Sequence, residues 1–171
     1  MARNAPPDPD QVLQLTGMVQ IPKRWISAGA IPWVDAGGKP KGWKFREHLA
    51  LEGGIQPATL FIEGYFKPAS VPGADDKLSL SLFYKNVRIL GIDVDGSSHH
   101  RNSVGIGRQF YQQLVGHPHL HSISDDALYG YAEPIPANDP AGYWAQFIDL
   151  ASIHGAPQFN LPPAQQELLL R

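Results

Sequence analysis

Polar and apolar positions alternate most regularly in the middle of the chain. Ala58 to Phe66 (ATLFIEGYF) and Leu78 to Tyr84 (LSLSLFY) show a period of two and the Thr, Phe, Ile and Tyr content of half-buried strands. In the second run Leu78, Leu80, Leu82 and Tyr84 share one face, while Ser79, Ser81 and Phe83 share the other. Val87 to Asp93 (VRILGID) reads as a third strand. Lys85-Asn86 is short enough for a hairpin between the last two runs, although it is not the favoured Asn-Gly pair. Pro68, Pro72 and Gly73 make the preceding connection a flexible loop. The three runs together predict the antiparallel centre of a sheet.

The flanking segments are less regular. A Pro- and Asp-rich arm leads into an apolar piece from Val12 to Ile21, which Pro22 closes. Gly29 and Pro32 interrupt Trp25, Ile26, Ile31 and Trp33, which suits an irregular extended edge. Asp35 to Gly42 (DAGGKPKG) reads as a turn or loop before Trp43, Phe45 and a short piece from Glu47 to Leu51. Further on, Val104 to Val115 predicts one or two helical turns. His117 to Ile123 (HPHLHSI) alternates again, with Pro118 confining it to an edge or a strand start, and Tyr129 to Ile135 returns as a short strand. From Pro140 the period becomes helical: Asp139 caps the first turn, Tyr143, Trp144, Phe147, Ile148 and Ala151 form an apolar stripe, and Gly155 ends it. The expected fold is α+β, a small antiparallel sheet with one or two covering helices. Residues 12–156 form its single domain, between a flexible arm at 1–11 and a tail or docking segment at 157–171 that ends in Leu168 to Leu170.

Composition narrows the function classes. A chain of 171 residues with 43% hydrophobic residues fills one core, and 18% charged residues implies a rather neutral surface or one partly covered by a partner. Sixteen acids against 14 bases give a net charge of -2, which excludes a strongly basic nucleic-acid binder. A local basic set remains, Lys23, Arg24, Lys39, Lys41, Lys44 and Arg46, which is either a contact patch for nucleic acid or an acidic partner, or a solvated face. The absence of cysteine excludes a disulfide framework, a thiolate nucleophile, a zinc-thiolate site and a cysteinyl iron-sulfur cluster. No stretch approaches 18 apolar residues and the N-terminus lacks a signal-peptide pattern, so a cytoplasmic protein without a membrane partner is the expectation.

The candidate chemistry is concentrated between Asp93 and Asp126. Five of the seven histidines lie there, as His99-His100 and His117-x-His119-x-His121. On an extended strand the last three project from one face, adjacent members about 7 Å apart and the outer pair about 13 Å apart at Cα. Two neighbours can therefore share a metal, whereas three from a straight strand hardly can. Asp93, His99, His119 and His121 form the candidate ligand set, a mixture of imidazole and carboxylate that suits a divalent transition metal such as zinc or manganese. Arg88, Arg101 or Arg108 would then neutralise an anionic group such as a phosphate. A metal-free alternative uses His99, His100, His119 or His121 as general base and acid, with Arg101 or Arg88 stabilising charge. In the bland alternative Asp93 pairs with Arg88, Asn102 satisfies loop backbone, and the histidines are ordinary hydrogen-bonded residues. Gly105-x-Gly107 followed by Arg108 can cradle a phosphate, but it lacks the third glycine of a dinucleotide fingerprint and the lysine of a phosphate loop.

The stretch from Leu60 to Ile135 is similar to small uncharacterised prokaryotic and phage-associated domains, some from toxin-antitoxin neighbourhoods. The likeness rests on the aromatic strand pair, Asn86-Val87-Arg88-Ile89, Asp93, His99-His100-Arg101-Asn102, the H-x-H element and Tyr131-Ala132. It implies RNA or mobile-element biology and carries no settled mechanism. Two functions follow as expectations. One is a non-catalytic binding or regulatory protein with a protein partner or a second copy of itself, docking through Trp144, Phe147 or Leu168 to Leu170. The other is a small phosphodiesterase or nuclease-like hydrolase built on the His and Asp cluster.

Overall fold

The computed structural model describes residues 6–96 and 98–163. Helix α1 spans Pro9–Gln20, with Asp8 as its N-cap and Pro9 in the first turn, and it buries Leu15, Met18 and Val19. Its other end is closed by a buried lysine. Lys23, 1% exposed, donates through Nζ to the carbonyls of Met18 (2.7 Å), Val19 (3.1 Å) and Ile21 (2.5 Å). These are carbonyls left over at a helix C-terminus, where the dipole favours a cation. Burial lowers the Lys23 pKa to about 8, which still leaves an ammonium at neutral pH. Lys23 is therefore removed from the expected basic patch.

The strands in chain order are β1 (Lys23–Trp25), β2 (Val34–Gly37), β3 (Gly42–Ala50), β4 (Phe61–Lys67), β5 (Lys77–Tyr84), β6 (Val87–Val94), β7 (His100–Arg101), β8 (Leu114–Val115), β9 (His119–Ser124), β10 (Ala127–Pro134) and β11 (Ile153–His154). Nine of them form one sheet in the order β10-β9-β6-β5-β4-β3-β1-β11, with β2 also on β3. The fold is α+β, but the sheet is much larger than expected. Strands β4, β5 and β6 do form its antiparallel centre. The difference lies at the flanks. Trp43 to Ala50 is one continuous strand rather than a loop and a fragment, with Lys44, Arg46 and His48 exposed on one face and Phe45 and Leu49 buried on the other. Glu47, which breaks the alternation, is buried because both its carboxylate oxygens accept from Ser27, from the amide and from Oγ at 2.9 Å each. Strand β9 starts just after Pro118 and lies inside the sheet between β6 and β10.

The segment from Val104 to Gln113 is not helical. Gly105 and Gly107 adopt φ of 89° and 84°, which a right-handed helix excludes, and Leu114–Val115 pairs instead with His100–Arg101 as a two-stranded ribbon. Helix α2 starts at Pro140 as expected, with Asp139 accepting from the Gly142 amide at 2.6 Å, but it ends at Leu150, and Ile153–His154, before Gly155, is strand β11. Together α1 and α2 cover one face of the sheet. The core between them holds Trp25, Trp33, Phe45, Phe66, Trp144 and Phe147, with Trp33 edge-on to Phe45 at 5.0 Å and Trp25 edge-on to Trp144 at 5.9 Å. Trp25 and Trp33 are thus core aromatics. The start of the expected tail belongs to this core as well. Phe159 and Leu161 pack on it, Asn160 Oδ1 accepts from the Ile31 amide, and the Asn160 carbonyl accepts from Trp33 Nε1. The Leu168 to Leu170 run lies outside the described residues. No helix of the described residues is long and apolar enough to cross a membrane.

The opposite face of the sheet carries the polar alternates. Register lines them up in rows across the strands: Lys44, Tyr65, Ser79, Asp93 and His119 in one row, and Arg46, Glu63, Ser81, Gly91 and His121 in the next.

Candidate metal centre

The register of β6 against β9 places Asp93 directly opposite His119 and Gly91 opposite His121. Because His119 and His121 are two residues apart on a strand, both rings project toward the face that carries Asp93. His121 Nε2 stands 3.0 Å from Asp93 Oδ2 and 3.0 Å from His119 Nε2, and His119 Nε2 is 4.0 Å from Asp93 Oδ2. Two donors on one zinc ion, each about 2.0–2.2 Å from it, stand roughly 3–3.5 Å apart. Two edges of the triangle already fit, and the third closes with a shift of about half an ångström.

The proton inventory favours a cation at this point. A carbonyl only accepts, so His119 Nδ1, 3.0 Å from the Gly116 carbonyl, must carry the proton and leave a lone pair on Nε2. Burial pushes the His119 pKa down to about 4, with the neighbouring His121 and His117 adding to this against the Gly116 carbonyl, so the ring is neutral at pH 7. His121 has no comfortable tautomer. Its Nδ1 is buried without a partner. A proton on Nδ1 leaves that N–H unsatisfied and sets three lone-pair atoms against one another, whereas a proton on Nε2 leaves Nδ1 as an orphaned acceptor. A metal ion at the convergence point serves all three donor atoms, and the backbone bond at His119 Nδ1 is the usual support of a metal-bound histidine.

Asp93 is held in place by Arg88. Nη1 donates to Oδ2 at 2.9 Å and Nη2 to Oδ1 at 2.8 Å, while Ser79 Oγ donates to Oδ1 at 2.6 Å. Burial alone would raise the Asp93 pKa, but hydrogen bonds from His121, Arg88 and Ser79 together with the Arg88 charge hold it well below the usual carboxylate range. Arg88 and Asp93 are five residues apart, so on a regular strand they would face opposite sides of the sheet. A bulge between the pairs Leu82–Leu90 and Phe83–Arg88 brings them to one face. Gly91 then clears the path, because a Cβ there would lie 2.2–2.4 Å from the guanidinium.

Ser79, Asp93, His119 and His121 border an open cleft of about 390 Å³, which Lys77, Ser98, His99, His117 and Tyr129 also line. Tyr129 is 60% exposed and lies nearly parallel to His121, at 6.0 Å. Of the expected site residues, Asp93, His119 and His121 come together. His99 lines the cleft but is not in that ligand group. His100 packs against both rings, 4.9 Å from His121 and 5.6 Å from His119, and its Nε2 donates to the Gly130 carbonyl at 2.7 Å. It supports the cluster without ligating. Arg101 follows on the other side of β7, is exposed, and does not line the cleft.

His117 was not among the expected ligand or catalytic residues, yet it reaches the cleft. Its Nδ1 donates to the Asp93 carbonyl at 3.1 Å and its Nε2 accepts from Ser98 Oγ at 3.0 Å. The expected anion-neutralising arginines are engaged elsewhere. Arg88 is bound to Asp93, and Arg108 donates to Glu133 while lying 3.7 Å over the Tyr131 ring. The Gly105 loop does not present its amides to a phosphate, since the Gly105 and Ile106 N–H groups donate to Asp126. Asn102 is fully buried and structural, bonded to the Phe110 carbonyl and to both backbone groups of Ala132. The remaining basic patch is spent in part on ion pairs, Lys41 with Asp35 and Arg46 with Glu63. Compared with known proteins, the chain matches no family model, no curated protein and no solved structure.

Proposed function

We propose that this protein is a metal-dependent hydrolase, with Asp93, His119 and His121 as the three ligands of one divalent transition-metal ion and phosphoric diesters as the substrate class. The observation that carries this reading is the convergence of His119 Nε2, His121 Nε2 and Asp93 Oδ2, all within 4.8 Å of one another, with the His119 lone pair turned toward the other two by its Nδ1 bond to Gly116. Three protein ligands beside an open cleft leave room for water and substrate, the arrangement of a catalytic rather than a structural site. A metal bound there supplies a water of lowered pKa and a Lewis acid for a phosphoryl oxygen. Arg88 and Ser79 orient the carboxylate, and Lys77, paired with Asp95, lines the cleft. His117, held by Ser98 and the Asp93 carbonyl, lines the same cleft beside the proposed ligands.

The non-catalytic docking alternative has less support. Of the contact residues expected for it, Trp144 and Phe147 are 3% and 0% exposed and belong to the core, and Leu168 to Leu170 lie outside the described residues.

The test uses untagged protein stripped of metal and titrated with zinc, manganese and cobalt. One equivalent should bind, and hydrolysis of an activated phosphodiester should appear with the metal. His119→Ala and His121→Ala should abolish both while the protein stays folded. Folded protein that takes up no stoichiometric metal overturns the proposal.

A further inference from the structure

We infer that the open face of the sheet is a binding trough for single-stranded nucleic acid that delivers a phosphodiester to the metal centre. This inference rests on the hydrolase reading above and names the substrate of that site. Its first support is shape. The cleft at the metal is continuous with two further depressions of about 400 and 480 Å³ on the same face, because Tyr65 and Ser79 border the first of these as well, and Tyr129 borders the second. Ser79 borders both the metal cleft and the first depression, Ser81 borders both further depressions, and Tyr65 and Tyr129 border the cleft. From β3 to β9 the face crosses four strand spacings, about 19 Å. A trough of that length suits a chain-like ligand better than a small ester.

The second support is chemistry. Tyr65 is 36% and Tyr129 60% exposed, and each offers a ring face to an unstacked base. Next to them Phe61 and Phe83 stack at 5.1 Å, with the Arg46 guanidinium 4.4 Å over Phe61. The third support is charge complementarity. Every carboxylate on this face already has a basic partner: Glu63 has Arg46, Asp95 has Lys77 and Asp93 has Arg88. Lys44 is exposed with no ion pair among the described residues, and a divalent metal adds two further positive charges. A surface that is neutral pair by pair thus becomes cationic along one line once the metal binds, which favours a polyanion threaded past it. Exposed aromatic rings beside that line select a single strand over a duplex, whose bases are stacked and paired.

The test measures fluorescence anisotropy of labelled single-stranded RNA and DNA of about ten nucleotides with the zinc-loaded protein, with metal content determined on the same sample. Tyr65→Ala and Tyr129→Ala should each weaken binding about tenfold with metal content unchanged. Lys44→Ala should lower the salt dependence by about one phosphate contact. Metal-loaded protein that binds no single strand, or binds a duplex equally well, overturns the trough and leaves the metal centre standing. Binding that the two tyrosine variants do not weaken also overturns it. Tyrosine-dependent binding by protein that holds no metal supports the trough and overturns the centre.

Discussion

Gly91→Ala tests how the centre is held together. Gly91 does not have a positive φ, so alanine meets no backbone strain, and in a strand it would ordinarily gain about 0.5–1 kcal/mol. What the new Cβ meets is the Arg88 guanidinium, at 2.2 Å from Nη2 and 2.4 Å from Cζ and Nε. The guanidinium must move, and moving it breaks the fork on Asp93. That fork has two bonds of 2.8 and 2.9 Å to side chains only 11% and 20% exposed. A hydrogen bond to a charged group contributes about 1.5–3 kcal/mol, and Asp93 keeps Ser79 and His121, so the expected cost is about 2–3 kcal/mol. Arg88→Met should cost about 3 kcal/mol, because it also leaves the carboxylate without a cation. The two changes act through one contact, so the double variant should be no less stable than Arg88→Met alone. Urea unfolding of the wild type, both single variants and the double variant at pH 7.5 gives all four corners of the cycle. Metal affinity should fall about 10–100-fold in each single variant, because the group orienting a ligand is lost. Additive costs, with Gly91→Ala equally damaging in the Arg88→Met background, would refute the reasoning.

Three other outcomes are expected. His119 has its folded-state pKa lowered from 6.5 to about 4, so the unfolded chain binds a proton at this position that the fold refuses; metal-free protein should therefore lose stability as the pH falls from 6.5 towards 4, by up to about 3 kcal/mol. Denaturation at pH 7.5 and pH 4.5 measures this, and His119→Gln should flatten the difference; an unchanged slope sinks the assignment. Asn102→Ala removes three buried hydrogen bonds to Phe110 and Ala132 and should cost about 3 kcal/mol or more while making residues 103–113 sensitive to protease; a loss under about 1 kcal/mol contradicts the role given to it. Lys23→Met keeps the packing but leaves three carbonyls at the end of α1 without a donor, so thermal unfolding should show a loss of about 2 kcal/mol or more, and hydrogen exchange should speed up first in the last turn of that helix.

Much of the centre was legible because two-residue spacing on a strand is unambiguous. His119 and His121 share a face whatever the neighbours do, and they meet Asp93, while His117 precedes the strand and turns to Ser98. Asp93 was legible as the end of a strand and not as the cross-strand partner of Ser79 and His119, because pairing register is a tertiary property. Arg88 as an Asp93 partner could be guessed from proximity alone, yet its five-residue offset has the wrong parity for one face until a bulge corrects it. The signal for that was Gly91, a residue with no side chain in the middle of a strand. Strand β3 was missed because Glu47 interrupts the polar alternation, and its partner Ser27 lies twenty residues away. The 104–115 segment misled because its apolar spacing suited a helix while Gly105 and Gly107 required φ values a helix excludes.

The sheet divides its work between its two faces, and this division bears on how the centre operates. One face spends its apolar alternates on α1, α2 and the aromatic core, which fixes strand spacing and register. The other face inherits that register, so the distance between Asp93 and His119 is set by pairing across β6 and β9, not by a loop that must order itself. Both strands are interior, with β5 beyond β6 and β10 beyond β9, and shifting either costs two ladders of hydrogen bonds. A site held in this way is organised before the metal arrives. Metal binding should therefore leave the backbone amide resonances of β6 and β9 shifted but not newly protected. Outside the β6–β9 ladder, Ser98 and His99 line the cleft, and Tyr129, at the irregular stretch of β10, lies nearly parallel to His121. On the proposed function, affinity for a metal would be set by the sheet, and selection of a substrate by the groups outside that ladder.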